Sequence, residues 1–273
     1  MGYTAPSAPL PIGGVIDDAL RLYRSTLGRA WSLSFGFSLA LAAFSIVVFV
    51  HLRDRGTPVT RGPAGMHSLQ LMLSALSSPP ILGSYILVTL LTFALYGALM
   101  AYASAVAQGE HALSLAQACA VGFRRLPGVV LASLICGIAV CAGLVALIAP
   151  GLWLWGRLQL WMAAMFAENT SALGALGSSW RLTRGNWWRG TTIFTVAVIM
   201  IIVISIVFSL IAGVVAGILR LNVTDSQIVV QLASLVANTL TYPFFVATWL
   251  SMHRDFKLRR EGGDLAARAG ALA

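Results

Sequence analysis

One cation stands inside a long apolar stretch of this sequence, Arg157 in "LWLWGRLQLWMAAMFAE" (152–168), and the same stretch closes on a carboxylate, Glu168. An ionisable side chain within a run this apolar is costly to desolvate, which makes it a candidate for function. Three roles are open to Arg157. If the run enters the bilayer at Leu152 from the external side, the guanidinium lies roughly 8 Å deep, within reach of snorkelling back to the surface. Alternatively it pairs with a backbone or side-chain acceptor, or it holds the phosphate of a lipid or substrate. Glu168 returns to nearly the same helical face as Arg157 but about 16 Å further along the axis, so the two do not touch. Its expected role is a structural ion pair with Arg181 or Arg184 of the next segment.

Other reactive side chains are sparse. Cys119, Cys136 and Cys141 have no metal-ligand or redox spacing, and two of them fall inside an apolar run, where a thiol behaves as a small hydrophobe. His51, His67, His111 and His253 are scattered, which argues against a metal site. No GxSxG, HExxH or phosphate-loop pattern occurs. The apolar runs also lack the buried carboxylates of a proton-coupled pump. The sequence therefore predicts a protein that is not an enzyme by itself and needs no metal or cofactor.

The densest polar chemistry is "SSWRLTRGNWWRG" (178–190), where Trp180, Trp187 and Trp188 alternate with Arg181, Arg184 and Arg189. Indoles are most stable at the depth of lipid headgroups, and each arginine beside an anionic leaflet contributes about 1 kcal/mol. Together with Arg124 and Arg125 of "GFRRLPG" and with Arg157, these are the candidate lipid- or partner-binding residues.

The elements that position them follow from composition. Of 273 residues, 58% are hydrophobic and 10% charged, with mean hydropathy +0.85. Soluble domains carry about 25% charge, so the expected solvent is lipid. The net charge of +9 would suit a nucleic-acid ligand, but the basic residues sit at the ends of apolar runs and not on one soluble surface, which excludes that reading. Runs of about 20 residues cross the hydrocarbon core as helix. The sequence predicts six, at about 30–52, 81–107, 128–149, 152–168, 191–219 and 228–252. The third should end at Pro150-Gly151, and the sixth should kink at Tyr242-Pro243. The first run is too long for a cleaved leader. Gly97, Ala101 and Ala105, and separately Gly213 and Gly217, have the small-residue spacing of helix packing seams.

Basic residues set the orientation. Arg21, Arg24, Arg29, Arg124, Arg125, Arg181, Arg184, Arg189, Arg254, Lys257, Arg259, Arg260 and Arg268 fall on one side of this scheme. Arg53, Arg55, Arg61 and Arg220 fall on the other, which predicts both termini in the cytoplasm. Residues 12–29 read as an interfacial amphipathic helix, with Val15, Ala19, Leu22 and Tyr23 on one face and Asp17, Asp18, Arg21 and Arg24 on the other. Comparable segments begin near 112 and 171, so the chain parses as three copies of an interfacial helix plus a transmembrane hairpin. Residues 53–79 form an external loop with one amphipathic turn near Leu69 to Leu76. Residues 253–273 form a basic tail in which Asp255, Glu261 and Asp264 are solvated.

"FAENTSALGALGSSWRLTRGNWWRG", the closing "HRDFKLRREGGDL" and the opening "GGVIDDALRLYRSTLGRAW" together resemble the membrane domain of bacterial glycerophosphoryl diester phosphodiesterases and of related small inner-membrane proteins. The likeness spans about residues 12 to 266. It implies six helices, an interfacial N-terminal helix and a bacterial inner-membrane location. It does not imply phosphodiesterase activity, because the family's catalysis belongs to a separate soluble barrel that nothing here encodes.

The expected fold is thus all-α: one polytopic membrane domain over 1–273 with six transmembrane helices and interfacial helices. The expected function is non-enzymatic binding or organisation of anionic phospholipid, or of a membrane protein partner, through the arginine-rich surface. The alternatives are a small transporter or channel subunit and a membrane-embedded enzyme of lipid metabolism.

Overall fold

The computed structural model describes residues 3–54, 79–109 and 113–272, and these are helical nearly throughout. The helices are α1 (Ile12–Asp54), α2 (Pro79–Ala107), α3 (Leu115–Ala146), α4 (Ile148–Leu158), α5 (Trp161–Ala167), α6 (Ala172–Thr183), α7 (Trp187–Ile218) and α8 (Val223–Leu272). Five are long and apolar enough to cross a membrane: α1, α2, α3, α7 and α8. The expected external loop and its turn near Leu69 to Leu76 lie outside the described residues.

α7 shows why hydrocarbon is the fitting solvent. Its outward residues, among them Ile199, Ile202, Ile206, Leu210, Val214 and Ile218, are exposed, and only Gly190, Ile193, Ala197 and Ala212 are buried. A helix apolar on every side yet largely uncovered is stable against lipid and not against water.

The fourth expected span, 152–168, is not one helix. It is the pair α4 and α5, of 11 and 7 residues, broken at Gln159–Leu160. A break frees main-chain groups that need partners inside a bundle. α6 supplies them: Ser179 Oγ and Thr183 Oγ1 donate to the Arg157 carbonyl at 2.9 and 3.0 Å, and the Leu160 N–H donates to Ser179 Oγ at 3.2 Å. α4 lies over the first turns of α7. Pro150 and Trp153 sit with Trp187 and Trp188, Gly156 meets the Trp187 ring, Trp155 meets Phe194, and Gln159 meets Gly190.

The turn before α4 also differs from expectation. α3 ends at Ala146, and Pro150-Gly151 lies inside the start of α4, where the missing proline N–H breaks no intrahelical bond. The hairpin closes on glycines instead, since a Cβ on Gly143 would meet the Gly151 Cα at 2.9 Å.

Three further expectations are corrected. Residues 12–29 are the start of α1 and continue into its apolar run, and 115–146 likewise runs unbroken through Pro127, whereas α6 is turned away from α7 by Gly185 at φ +83°. The three segments do not share one design. α6 is not spread on a surface; Ala175, Ser178, Ser179, Leu182 and Thr183 are buried against its neighbours. α8 continues helical through Pro243 and past the expected end of the span, so the supposed tail begins as packed helix, with His253, Asp255 and Phe256 buried.

Of the two small-residue seams, the first is used. Gly97 meets Phe166 and Gly122, and Ala101 and Ala105 are buried. Gly213 and Gly217 face open space. The main core draws residues from all eight helices, α4 and α7 giving one each, Leu158 and Ala197. A second one, Val15, Leu160, Leu182, Ile193, Met252 and Phe256, joins the α4–α5 break to the starts of α1 and α7.

Candidate functional site

The polar side chains converge where α2 ends, α1 and α7 begin and α8 passes residues 252–260, and this is the basic end of the bundle. Part of the convergence is structural. Asp255, 2% exposed, accepts from Arg189 Nε and Arg259 Nε at 3.0 Å and from the Leu10 N–H at 2.9 Å. Both arginines also donate to the Leu10 carbonyl, so the chain before α1 is clamped to α7 and α8. Next to it, the Tyr3 hydroxyl donates to Asp18 at 3.0 Å, while Arg254 bonds the Tyr3 oxygen and the Ala107 carbonyl. Burial, opposed by Arg254, pushes the Tyr3 phenol up to about 12 and keeps it a donor. Neither Asp18 nor Asp255 is solvated, as the sequence had suggested for Asp255 and for the polar face of α1.

Glu168, at the end of α5, is paired with His253 Nε2 at 2.9 Å and accepts from Ser178 Oγ at 2.6 Å. The expected partner Arg181 reaches it only through that serine, donating to Ser178 Oγ at 3.3 Å. Arg184, the other expected partner, ends α6 exposed. The His253 bond foremost, then Ser178 and the charges of His253 and Lys257, hold the carboxyl down to about 2 against the opposing effect of burial.

From this hub a groove runs across the end of the bundle. Its first cavity, about 200 Å³, is lined by Ser104, Gln108, His253, Arg254 and Lys257. The second, about 220 Å³, shares Ser104, Gln108 and Ala167 with it and adds Arg125 and Asn169. A third, about 490 Å³, shares Arg125 and Asn169 and opens onto Arg124, Thr170 and Ser171. Arg125 is fixed by donating to the Met165 carbonyl at 2.7 Å, with its guanidinium 5.5 Å from the Phe166 ring centroid. Arg124 is exposed.

The loop between α5 and α6 shapes these walls. Asn169 takes the left-handed conformation, φ 54°, in which asparagine is among the better tolerated residues, and it ends α5. Ser171 caps α6 by accepting from the Gly174 N–H at 3.3 Å.

The remaining sequence candidates form a second group. Arg157 is 6% exposed, its guanidinium lying over Trp180 at 4.5 Å and Trp153 at 5.5 Å. Protein covers this side chain almost completely. Trp187 donates its indole N–H to the Trp153 carbonyl at 3.1 Å, whereas Trp188 is 77% exposed. Arg189 is paired with Asp255.

Sequence reasoning brought Arg124 and Arg125 to the groove but missed His253, Arg254, Lys257, Gln108 and the 169–171 loop. A signal was present. "ENTSALGAL" combines a left-handed stop residue with a serine cap, and His253, Arg254 and Lys257 fall on one helical face. Among the described residues, no three His, Cys, Asp or Glu side chains come together as a metal site.

Among known proteins, the chain matches the model of one family, described as a domain of unknown function (DUF7847), over residues 80–255, and it belongs to that family. No curated protein and no solved structure matches it.

Proposed function

We propose that this protein is a non-enzymatic, multi-pass membrane protein that binds or organises anionic phospholipid at its basic end. In this reading the basic end faces the cytoplasm of a bacterium, with both termini on that side of the inner membrane. The resemblance to the phosphodiesterase membrane domain is part of the reading, as a membrane unit without the catalytic barrel.

One observation carries it: three cavities that share walls, lined by Arg124, Arg125, His253, Arg254 and Lys257, open at the end of the bundle. A lipid phosphate is monoanionic and lies at the depth where such an end would sit. Basic pockets between helices are the expected form of a headgroup site. Asn169, Thr170 and Ser171 add uncharged polar groups for a glycerol-type headgroup.

A second reading, a transporter or channel subunit, draws on the broken helix α4–α5, since discontinuous helices line many transport sites. The cavity beside that break, about 320 Å³, is lined mainly by Phe37, Phe93, Tyr96, Trp155, Trp161 and Trp249 and presents little polar surface. That lining favours the lipid reading.

The test is native mass spectrometry of the detergent-solubilised protein, wild type against Arg124→Ala/Lys257→Ala. At about 1 kcal/mol for each charge, the double variant should hold phosphatidylglycerol roughly 30-fold more weakly, with phosphatidylcholine unaffected. Equal retention by both proteins removes the support for the groove.

A further inference from the structure

Each acidic side chain buried at the basic end has a cationic or hydroxyl partner, and Arg125 has two carbonyls. Arg157 has none of these. Among the described residues its side chain makes no hydrogen bond and no ion pair, and its Nε is buried without a partner. The aromatic faces of Trp153 and Trp180 cover the guanidinium, and these rings stand edge to face, 5.3 Å apart. Ring faces attract a cation but accept no in-plane N–H, so the donor edge is left unsatisfied.

A second charge makes the deficit larger. Arg184 is exposed, and its field acts on Arg157 as a like charge. The Thr183 hydroxyl, one residue away, is bonded to the Arg157 carbonyl. Two arginines thus act on one another, and neither has an ion-pair partner among the described residues.

We infer that Arg157 and Arg184 form a second anion site, separate from the groove, which takes a tetrahedral oxyanion of phosphate type. Trp153 and Trp180 cover the Arg157 guanidinium, and its N–H groups, which no described residue accepts, are left to donate to the ligand. Arg184 supplies the second charge from the exposed side. A phospholipid phosphate and free inorganic phosphate present the same chemistry here. The inference deepens the lipid-binding reading when the ligand is a lipid, and it stands without that reading when the ligand is soluble.

The test is run in the Arg124→Ala/Lys257→Ala background, which removes the groove's charges. Purified protein in a non-ionic detergent is titrated with phosphatidylglycerol, with phosphatidylcholine and with inorganic phosphate, following thermal unfolding and tryptophan emission. Expected is saturable stabilisation by phosphatidylglycerol, by phosphate or by both, with an emission change and no response to phosphatidylcholine. Arg157→Met abolishes the response and Arg184→Gln weakens it by about tenfold, the size of one lost charged contact. Without ligand, Arg157→Met unfolds at the same or a higher temperature than its parent, because an unpaired buried cation has been replaced by a thioether.

A response to phosphatidylglycerol alone assigns the site to lipid, and one to phosphate assigns it to a soluble oxyanion. The inference is overturned if the parent responds to neither anion, if phosphatidylcholine acts equally, or if Arg157→Met and Arg184→Gln respond as the parent does. Should Arg157→Met fail to fold, the exposed Arg184→Gln decides alone. Equal phosphatidylglycerol retention by wild type and Arg124→Ala/Lys257→Ala, with this response still abolished by Arg157→Met, would fault the first site and not the second.

Discussion

Glu168 and Asp255 show how far a residue's type and place in the sequence foretell its role. Both are carboxylates at the basic end, yet one is tied to a histidine 85 residues away and the other to two arginines and a main-chain N–H. Sequence proximity pointed Glu168 to Arg181 or Arg184, because partners along one chain can be listed and partners across a bundle cannot. Its depressed titration gives a signed prediction. With a folded value of about 2 against an ordinary 4.5, the ionised carboxylate's contribution to stability is complete above about pH 4.5 and is lost as pH falls from there toward 2. Thermal unfolding in detergent should show wild type losing more stability across that window than Glu168→Gln. A parallel decline would contradict the pairing. For Asp255, substitution by alanine strands Arg189, Arg259 and the Leu10 N–H, and a buried acid removed in this way costs about 3 kcal/mol. Chemical denaturation should register that loss, and hydrogen exchange should rise first at residues 10–16. Arg189→Gln should lower stability with phosphatidylglycerol retention unchanged, since its side chain already serves Asp255.

At the scale of elements, the long apolar runs were legible and the short ones were not. α2, α3, α7 and α8 carry their identity in length and hydropathy, quantities that no neighbour can alter. The run at 152–168 meets the same criterion on paper, but its helix is interrupted because Ser179 and Thr183 of α6 satisfy the main-chain groups that an interruption frees. Nothing within 152–168 announces that. The seam at Gly97 was read correctly, and its counterpart is now evident in Ala118 and Gly122, which have the same spacing on α3. A Cβ on Gly122 would stand 2.2 Å from the Ala94 carbonyl oxygen, so the α2–α3 crossing depends on its absence. Gly122→Ala should force the helices apart at a cost of about 1–3 kcal/mol, read as a lowered unfolding temperature. Gly213→Ala, whose Cβ would meet open space, is the control and should be neutral or slightly stabilising. Equal effects at the two sites would deny the crossing.

On the scale of the whole molecule, one end of the bundle holds most of what could act. Uncovered apolar side chains along α7 call for hydrocarbon, while the ends of α2 and α5 and the starts of α1, α6 and α7 bring arginine, histidine and lysine to a common level beside α8. If that level lies at the headgroups of an anionic leaflet, reporter fusions at both chain ends should be active in the cytoplasm, and opposite results at the two ends would break the scheme. Photo-crosslinking in bilayers, with a phosphatidylglycerol whose reactive group is in the headgroup, bears most directly on the central proposal. Adducts should map to residues 121–128, 165–172 and 253–257 and fall sharply in Arg124→Ala/Lys257→Ala. Adducts distributed along the open face of α7, or an identical pattern from a phosphatidylcholine probe, would contradict it.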